Sequence, residues 1–107
     1  MEIVTHARQG DVKIDVIAKL PEGLIPQPRD EGLAVLAYGE LTGHKHAFKE
    51  EHVQLLANDN QLFMVITGKP ATLYHEEHYP ITFAPGFYQI RIQREFVEGD
   101  EPLRVCE

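Results

Sequence analysis

Apolar and polar residues alternate along several short stretches of the chain. Between positions 12 and 20 every even position is apolar, and Lys13, Asp15 and Lys19 occupy three of the odd positions. A period of two is typical of a β-strand that buries one face and exposes the other. We therefore predict a half-buried strand over 12–20.

The same alternation predicts a last long strand over 88–96. Its apolar side comprises Tyr88, Ile90, Ile92 and Phe96. Arg94 falls on this apolar side. Either it lies at the end of the strand that leaves the core and reaches solvent, or it pairs with an acid in the mouth of a barrel. If it lies beside the histidines described below, its guanidinium suits a carboxylate substrate.

Further short apolar runs lie between turn-forming residues. We expect them to form strands over 33–38, 53–56, 62–67, 71–74 and 81–83, with a hairpin turn at 57–60. Three prolines exclude a helix from the segment 21–32. A helical turn within 47–57 is the alternative to an extended chain there.

Short strands at close spacing predict an all-β fold. The length of 107 residues suits one domain with a single core. We therefore predict a single domain over 1–107, built as a β-sandwich or a small β-barrel.

Composition and charge exclude several classes of protein. A hydrophobic content of 43% argues against disorder, and a net charge of −7 repels phosphate backbones, so we expect no nucleic-acid partner. The single cysteine, Cys106, excludes an internal disulfide. No apolar stretch is long enough for a signal peptide or a membrane span, so we expect no membrane partner and a cytoplasmic location.

The stretch GHKHAFKEEH contains the first cluster of candidate ligands. On a strand, residues two apart point to the same face, so His44 and His46 point together, with Glu50 on the same side if the strand continues. Lys45 and Lys49 point the other way. Because lysines prefer solvent, this phase turns the two imidazoles inward, as a chelate for a divalent ion.

The stretch LYHEEH contains the second cluster. His75 and His78 are three residues apart and would point to opposite faces of a straight strand. They converge only if His75 to His78 form a turn, which Tyr79 and Pro80 favour. The spacing differs from the helical His-Glu-x-x-His signature of zinc proteases.

The two clusters together predict one metal site. Its candidate ligands are His44, His46, His75 and His78, with Glu50, Glu76 and Glu77 in reserve. This donor set suits Zn, Ni, Fe(II) or Mn. The alternative is two unrelated clusters, one bonded to backbone carbonyls and the other an exposed turn. His6 and His52 are assigned to the surface, with His52 as a weaker reserve ligand.

The first cluster also has the form His-x-His-x-x-x-Glu, which resembles the first metal motif of the cupins. The run from Phe63 to Gly68 and on to Tyr88 is similar to the cupin order of strand, hairpin and Pro-Gly turn. The resemblance implies a double-stranded β-helix barrel that holds a metal. Gln89 stands where cupins usually carry a ligand histidine, and the glycine usual after the first motif is missing, so His75 and His78 would substitute.

The whole pattern of GHxH, HEEH, PGxY and QREF resembles a group of small uncharacterised bacterial and phage proteins. That resemblance implies a shared fold and no established activity.

Three functions follow from these observations. The first is a small protein that binds a divalent metal through its histidines. The second is a cupin-like metalloenzyme that acts on a small molecule, with Glu50, Glu76 or Glu77 as ligand or general base. The third is a metal-free interaction module that binds a protein partner. A homodimer through an edge strand at 103–105 is a further expectation, and no catalytic residue is assigned.

Overall fold

The computed structural model describes residues 2–38 and 44–92. Eleven β-strands and no helix are present in these residues. In chain order the strands are β1 (Ile3–Val4), β2 (His6–Gln9), β3 (Val12–Ile17), β4 (Ile25–Pro26), β5 (Ala34–Tyr38), β6 (Lys45–Phe48), β7 (Val53–Ala57), β8 (Leu62–Ile66), β9 (Ala71–Tyr74), β10 (Ile81–Phe83) and β11 (Gly86–Ile92).

The strands form two sheets around one core. Sheet A has the order β1-β10-β9-β6-β5, and sheet B has the order β2-β3-β11-β8-β7-β4. Strands of both sheets contribute to a single cluster of buried apolar side chains, as in a β-sandwich. The prediction of an all-β sandwich-like fold is confirmed, and its cupin-like form stays a prediction.

The strands predicted over 71–74 and 81–83 are confirmed as β9 and β10. The predicted hairpin is also confirmed, because β7 pairs with β8 up to the pair Ala57 and Leu62. Its turn is held by Asn58, whose Oδ1 accepts hydrogen bonds from the backbone N–H groups of Asn60 at 3.0 Å and Gln61 at 2.9 Å. An Asn side chain that bonds the backbone ahead of it is typical of a turn.

The alternation predicted the buried face of β3 correctly but not its extent. Val12 and Ile14 are buried, whereas Val16 is 47% exposed and the strand ends at Ile17. In β11, likewise, Tyr88 and Ile90 are buried and Ile92 is 38% exposed. The pattern of a strand shows which face is apolar, but how far the opposite sheet covers that face depends on distant parts of the chain.

The chain between β6 and β7 is not helical: a turn at 51–52 joins the two strands, so the extended alternative for 47–57 holds. Strands β1, β2 and β4 were not predicted, because each is short and lacks a clear alternation. The predictions for Arg94, Phe96, Cys106 and 103–105 fall outside the described residues.

The apolar core centres on three aromatic rings. Phe83 packs edge-on against Phe48 at 6.2 Å and against Tyr88 at 5.6 Å, measured between ring centroids, which are favourable aromatic geometries. Desolvation raises the pKa of Tyr88, and its hydroxyl donates to the Ala84 carbonyl at 2.6 Å. This core holds the two sheets together.

In the described part of the chain, no helix is long and apolar enough to span a membrane.

Candidate functional site

The pairing of β6 with β9 brings the two histidine segments together. The strands are antiparallel, with Ala47 opposite Tyr74 and Phe48 opposite Leu73. One step further in this register, His46 lies opposite His75. Their ring centroids are 4.3 Å apart, and the side chains are 0% and 1% exposed.

The segment after β9 bends, as the sequence predicted, and returns His78 to the same place. Residues 76–78 form a bend between β9 and β10. The ring of His78 lies 4.6 Å from that of His75 and 6.0 Å from that of His46. His44, just before β6, lies 5.7 Å from His75. These four residues, His44, His46, His75 and His78, are the histidine cluster.

The tip of the β2–β3 hairpin, formed by Gln9, Gly10 and Asp11, lies against the histidine cluster. Gly10 has a φ of 62°, which favours glycine. A Cβ atom on Gly10 would lie 3.1 Å from Nε2 of His78 and 3.2 Å from Cε1 of His46. The hairpin tip therefore lies so close to the rings that a side chain on Gly10 would crowd them.

The three residues of the hairpin tip are functional candidates that were not predicted from the sequence. Gly10 followed by Asp11, immediately before the predicted strand at Val12, is a turn signal that could have indicated a hairpin. Nothing in the local sequence indicates that this tip packs against histidines far along the chain, since that contact depends on the assembly of both sheets.

Gln9 fixes the orientation and tautomer of His46. The Gln9 side-chain N–H groups donate to the carbonyls of Leu73 at 3.4 Å and Tyr79 at 2.9 Å, so its Oε1 faces His46 as an acceptor. Nδ1 of His46 lies 2.9 Å from this oxygen and must carry a proton. In the neutral ring, the lone pair is therefore on Nε2, the arrangement found in metal-ligating histidines whose second nitrogen is held by an acceptor.

His75 has the opposite tautomer. The backbone N–H of Glu77 donates to Nδ1 of His75 at 3.0 Å, so Nδ1 holds the lone pair and Nε2 of the neutral ring carries the proton. For Nε2 of His75 to bind a metal ion, the ring has to change tautomer and release this backbone contact.

Carboxylates surround the histidine cluster. Oδ1 of Asp11 lies 3.8 Å from Nε2 of His46, and Oε2 of Glu77 lies 3.7 Å from Nδ1 of His44. Oε1 of Glu76 accepts a hydrogen bond from the backbone N–H of Lys45 at 3.0 Å. These negative groups favour a cation among the four rings.

The Glu76 carboxyl has a pKa below its ordinary value. Desolvation is the largest single effect and acts upward, but it is outweighed by the backbone N–H groups of Lys45 and of Glu76 itself, together with the nearby His75 and His44. The environment of the cluster therefore stabilises the ionised carboxylate.

Two nitrogens of the cluster lack hydrogen bonds. Nδ1 of His44 and Nε2 of His78 are buried, and within residues 2–38 and 44–92 neither has a hydrogen-bond partner. A buried polar atom without a hydrogen bond lowers the free energy of unfolding by about 1–3 kcal/mol. Such atoms in a folded protein call for a specific explanation, of which a bound water or ion is one.

Glu50 lies apart from the cluster. It follows β6 at the end opposite His44, and its Oε2 accepts a hydrogen bond from the Thr72 backbone N–H at 3.0 Å. His52 donates to the Pro70 carbonyl at 3.1 Å, and His6 is exposed on β2. The structure thus groups Glu76 and Glu77 with the four histidines and places Glu50 and His52 beside β9 instead.

The side chains are not arranged around a ready-made metal position. In the part of the chain that the structure describes, no three His, Cys, Asp or Glu residues have donor atoms set to hold an ion. The physical reason lies in the rings themselves: His46 and His75 are tilted by 34° over one another, and His75 holds a backbone N–H. The donor set fits a divalent ion chemically, but binding requires rotation of these rings.

A protein-family model described as "Domain of unknown function (DUF8820)" matches residues 8–93. The matched region includes the histidine cluster and the hairpin tip. No curated protein and no solved structure matches the chain. Since the family model covers well over half of the 107 residues, the chain belongs to the DUF8820 family of domains of unknown function.

Proposed function

We propose that this protein binds one divalent metal ion through the histidine cluster. The proposal rests on two buried nitrogens, Nδ1 of His44 and Nε2 of His78, that have no hydrogen-bond partner among the described residues. Both belong to a group of four imidazoles. A metal ion would take up nitrogen lone pairs that the described residues leave without hydrogen bonds.

The tautomer of His46 supports the same conclusion. Gln9 holds the Nδ1 proton of His46, so the lone pair of the neutral ring is on Nε2, 3.8 Å from Oδ1 of Asp11. Acceptors that hold the far nitrogen in this way orient metal-ligating imidazoles and raise their basicity. The Gln9 side chain is itself held by the backbone carbonyls of Leu73 and Tyr79, so it keeps the His46 ring in this tautomer.

The local charge also favours a cation. Asp11, Glu76 and Glu77 all lie next to the rings, and the chain as a whole carries a net charge of −7. Imidazole together with carboxylate suits Zn, Ni, Fe(II) and Mn. We use zinc as the first probe because its tetrahedral shell accepts nitrogen and oxygen ligands at about 2.0–2.2 Å.

A structural role suits this site better than a catalytic one. The site lies between sheet A, which carries the histidines, and the hairpin tip of sheet B. A catalytic metal needs an open coordination position, while His46 and His75 are almost fully buried. A cupin-like metalloenzyme is the second candidate, favoured by the partial exposure of His44, whose side chain is 21% accessible.

The test is an isothermal titration of the metal-free protein with zinc. We expect one ion per wild-type chain. We expect the double variant His44→Ala/His78→Ala to lose at least about tenfold in affinity, because two ligands are removed. The matched control is His6→Ala/His52→Ala, which removes two histidines outside the cluster and should bind as the wild type does.

Thermal unfolding of each metal-free variant separates ligand loss from misfolding. We expect His44→Ala/His78→Ala to unfold cooperatively without zinc and to gain less stability than the control variant when zinc is added. Equal zinc-induced stabilisation of the two double variants, or no binding by the wild type, would contradict it.

A further inference from the structure

The hairpin tip of sheet B brings a buried carboxylate to the histidine cluster. Asp11 is only 8% exposed, which is uncommon for an aspartate. Its Oδ1 lies 3.8 Å from Nε2 of His46, the nitrogen that carries the lone pair when the ring is neutral. A lone pair and a carboxylate oxygen repel each other, and a proton or a metal ion between the two atoms would turn this contact into an attraction.

The separation of these two atoms fits the edge of a metal coordination shell. It exceeds the usual range for a nitrogen–oxygen hydrogen bond. Two ligands that each lie about 2.1 Å from a tetrahedral ion are about 3.4 Å apart. The separation of 3.8 Å is therefore closer to that of two ligands of one ion than to that of a hydrogen-bonded pair.

The residue before Asp11, Gly10, lies near the Nε2 atoms of His46 and His78. The point where a Cβ of Gly10 would lie is 3.1 Å from Nε2 of His78 and 3.6 Å from Nε2 of His46. The residue next to Asp11 in the chain thus lies near two imidazole nitrogens, with no room for a side chain between them and its backbone. The hairpin tip, His46 and His78 converge on one small region.

We infer that Asp11 is a further ligand of the metal ion, and that the ion thereby joins the two sheets. This inference rests on the proposed function, since it assigns a ligand to the same site. The histidines approach from β6 and from the β9–β10 connection in sheet A, whereas Asp11 comes from the β2–β3 connection in sheet B. An ion held from both sides links elements that are far apart in the chain.

The first test compares zinc binding by Asp11→Asn with that by Asp15→Asn. Each change replaces a carboxylate by an amide of the same size, and Asp15 lies in β3 next to Lys13, with 4.0 Å between the charged atoms. We expect Asp11→Asn to bind zinc at least about tenfold more weakly than the wild type, because a ligand is worth at least as much as an outer-shell group. Asp15→Asn should bind as the wild type does.

If Asp11 only pairs with a protonated His46, its removal frees that imidazole and zinc binds equally well or more tightly. That result overturns the inference while leaving the proposed function intact. No zinc binding by the wild type, in contrast, overturns both.

The second test uses the wild type alone and so does not depend on how the variant folds. Amide hydrogen exchange is measured with and without zinc at about 100 times the dissociation constant. We expect exchange in the β2–β3 hairpin to slow by up to about 100-fold, since opening this hairpin would break the site. If zinc binds and this hairpin is protected no more than the β7–β8 hairpin, Asp11 is not a ligand.

Discussion

Two neighbouring residue pairs, one within the β6–β9 pairing and one just beyond its end, have the same burial and opposite chemistry. Phe48 lies opposite Leu73, and two residues away His46 lies opposite His75. All four side chains are at most 1% exposed. The first pair stabilises the fold by removing apolar area from water, at about 25 cal/mol per Å². The second pair buries polar rings, which costs free energy unless each nitrogen is bonded.

The two pairs differ in what they require from their surroundings. The apolar pair needs only volume and contact. The imidazole pair needs Gln9 on one ring and the Glu77 backbone N–H on the other, and the neighbouring His44 and His78 still have nitrogens without hydrogen bonds in the described residues. The proposed metal site depends on this second pair, whereas the first pair serves the fold alone.

The largest expected effect follows from truncating the apolar pair. Leu73→Ala should lower the free energy of unfolding by about 2–5 kcal/mol, because it leaves a cavity in the core. The matched change is His75→Leu, measured in the absence of metal. It should cost about 1 kcal/mol, less than the leucine truncation, because an apolar group of similar size fills the space while the Glu77 backbone N–H loses its acceptor.

Chemical denaturation of both metal-free variants checks this comparison. Similar losses for Leu73→Ala and His75→Leu would mean that the imidazole contributes to the fold as much as the leucine does. The two pairs would then not differ in role.

The next effect concerns the buried glutamine that supports the histidine pair. Gln9→Leu removes the acceptor for Nδ1 of His46 and the donors to two carbonyls, and should weaken zinc binding by about 10–100-fold. It should also cost the metal-free protein about 1–3 kcal/mol. Gln89→Leu, at a half-buried position of β11, is the control. Unchanged zinc affinity in Gln9→Leu would show that the tautomer of His46 does not matter for binding.

A smaller effect is expected where the hairpin tip meets the rings. Gly10→Ala combines the strain of a positive φ with a Cβ placed 3.1 Å from Nε2 of His78. Gly68→Ala has the same kind of strain at a φ of 81° but no atom within 4 Å of the new Cβ. The strain alone should cost about 1 kcal/mol in both.

Only Gly10→Ala should also reduce zinc affinity, because the added methyl group displaces two imidazoles. Thermal unfolding and zinc titration of the two variants separate the effects. Equal behaviour in both measurements would show that the hairpin tip does not constrain the cluster.

The smallest effect concerns Glu76 and pH. Because its pKa in the folded protein lies below its ordinary value, the carboxylate stabilises the folded state above the unfolded pKa, and this contribution is lost as the pH falls through the folded pKa. Glu76→Gln should therefore have a free energy of unfolding lower than that of the wild type by up to about 0.5 kcal/mol near pH 6. The two values should converge below about pH 3.

Denaturation at several pH values measures this difference, with Glu22→Gln in an exposed turn as the control. If the difference between Glu76→Gln and the wild type grows on acidification, the folded pKa of Glu76 is raised and not lowered.

Much of the histidine cluster could be predicted from local sequence. The i, i+2 spacing of His44 and His46 indicates a common face, and the short His75–His78 spacing indicates a bend; the register of β6 with β9 then unites them. The spacing puts Glu50 on the face of His46 only if the strand continues, but β6 ends at Phe48. Glu50 therefore contacts Thr72 and does not join the cluster.

The contribution of sheet B could not be predicted in the same way. Gln9 contacts His46 across 37 residues and Tyr79 across 70, and β2 has only four residues to indicate a strand. Local alternation carries no information about which hairpin tip closes over which strand end. The sequence therefore predicted half of the candidate site, the half that lies on one pair of adjacent strands.

The most direct test of a metal site in this cluster is an anomalous-scattering map from crystals of the zinc-loaded protein. We predict one peak, about 2.0–2.2 Å from imidazole nitrogens of both the His44–His46 and the His75–His78 segments. A zinc peak bound elsewhere, or no peak while the four rings keep their present contacts, would contradict the proposal.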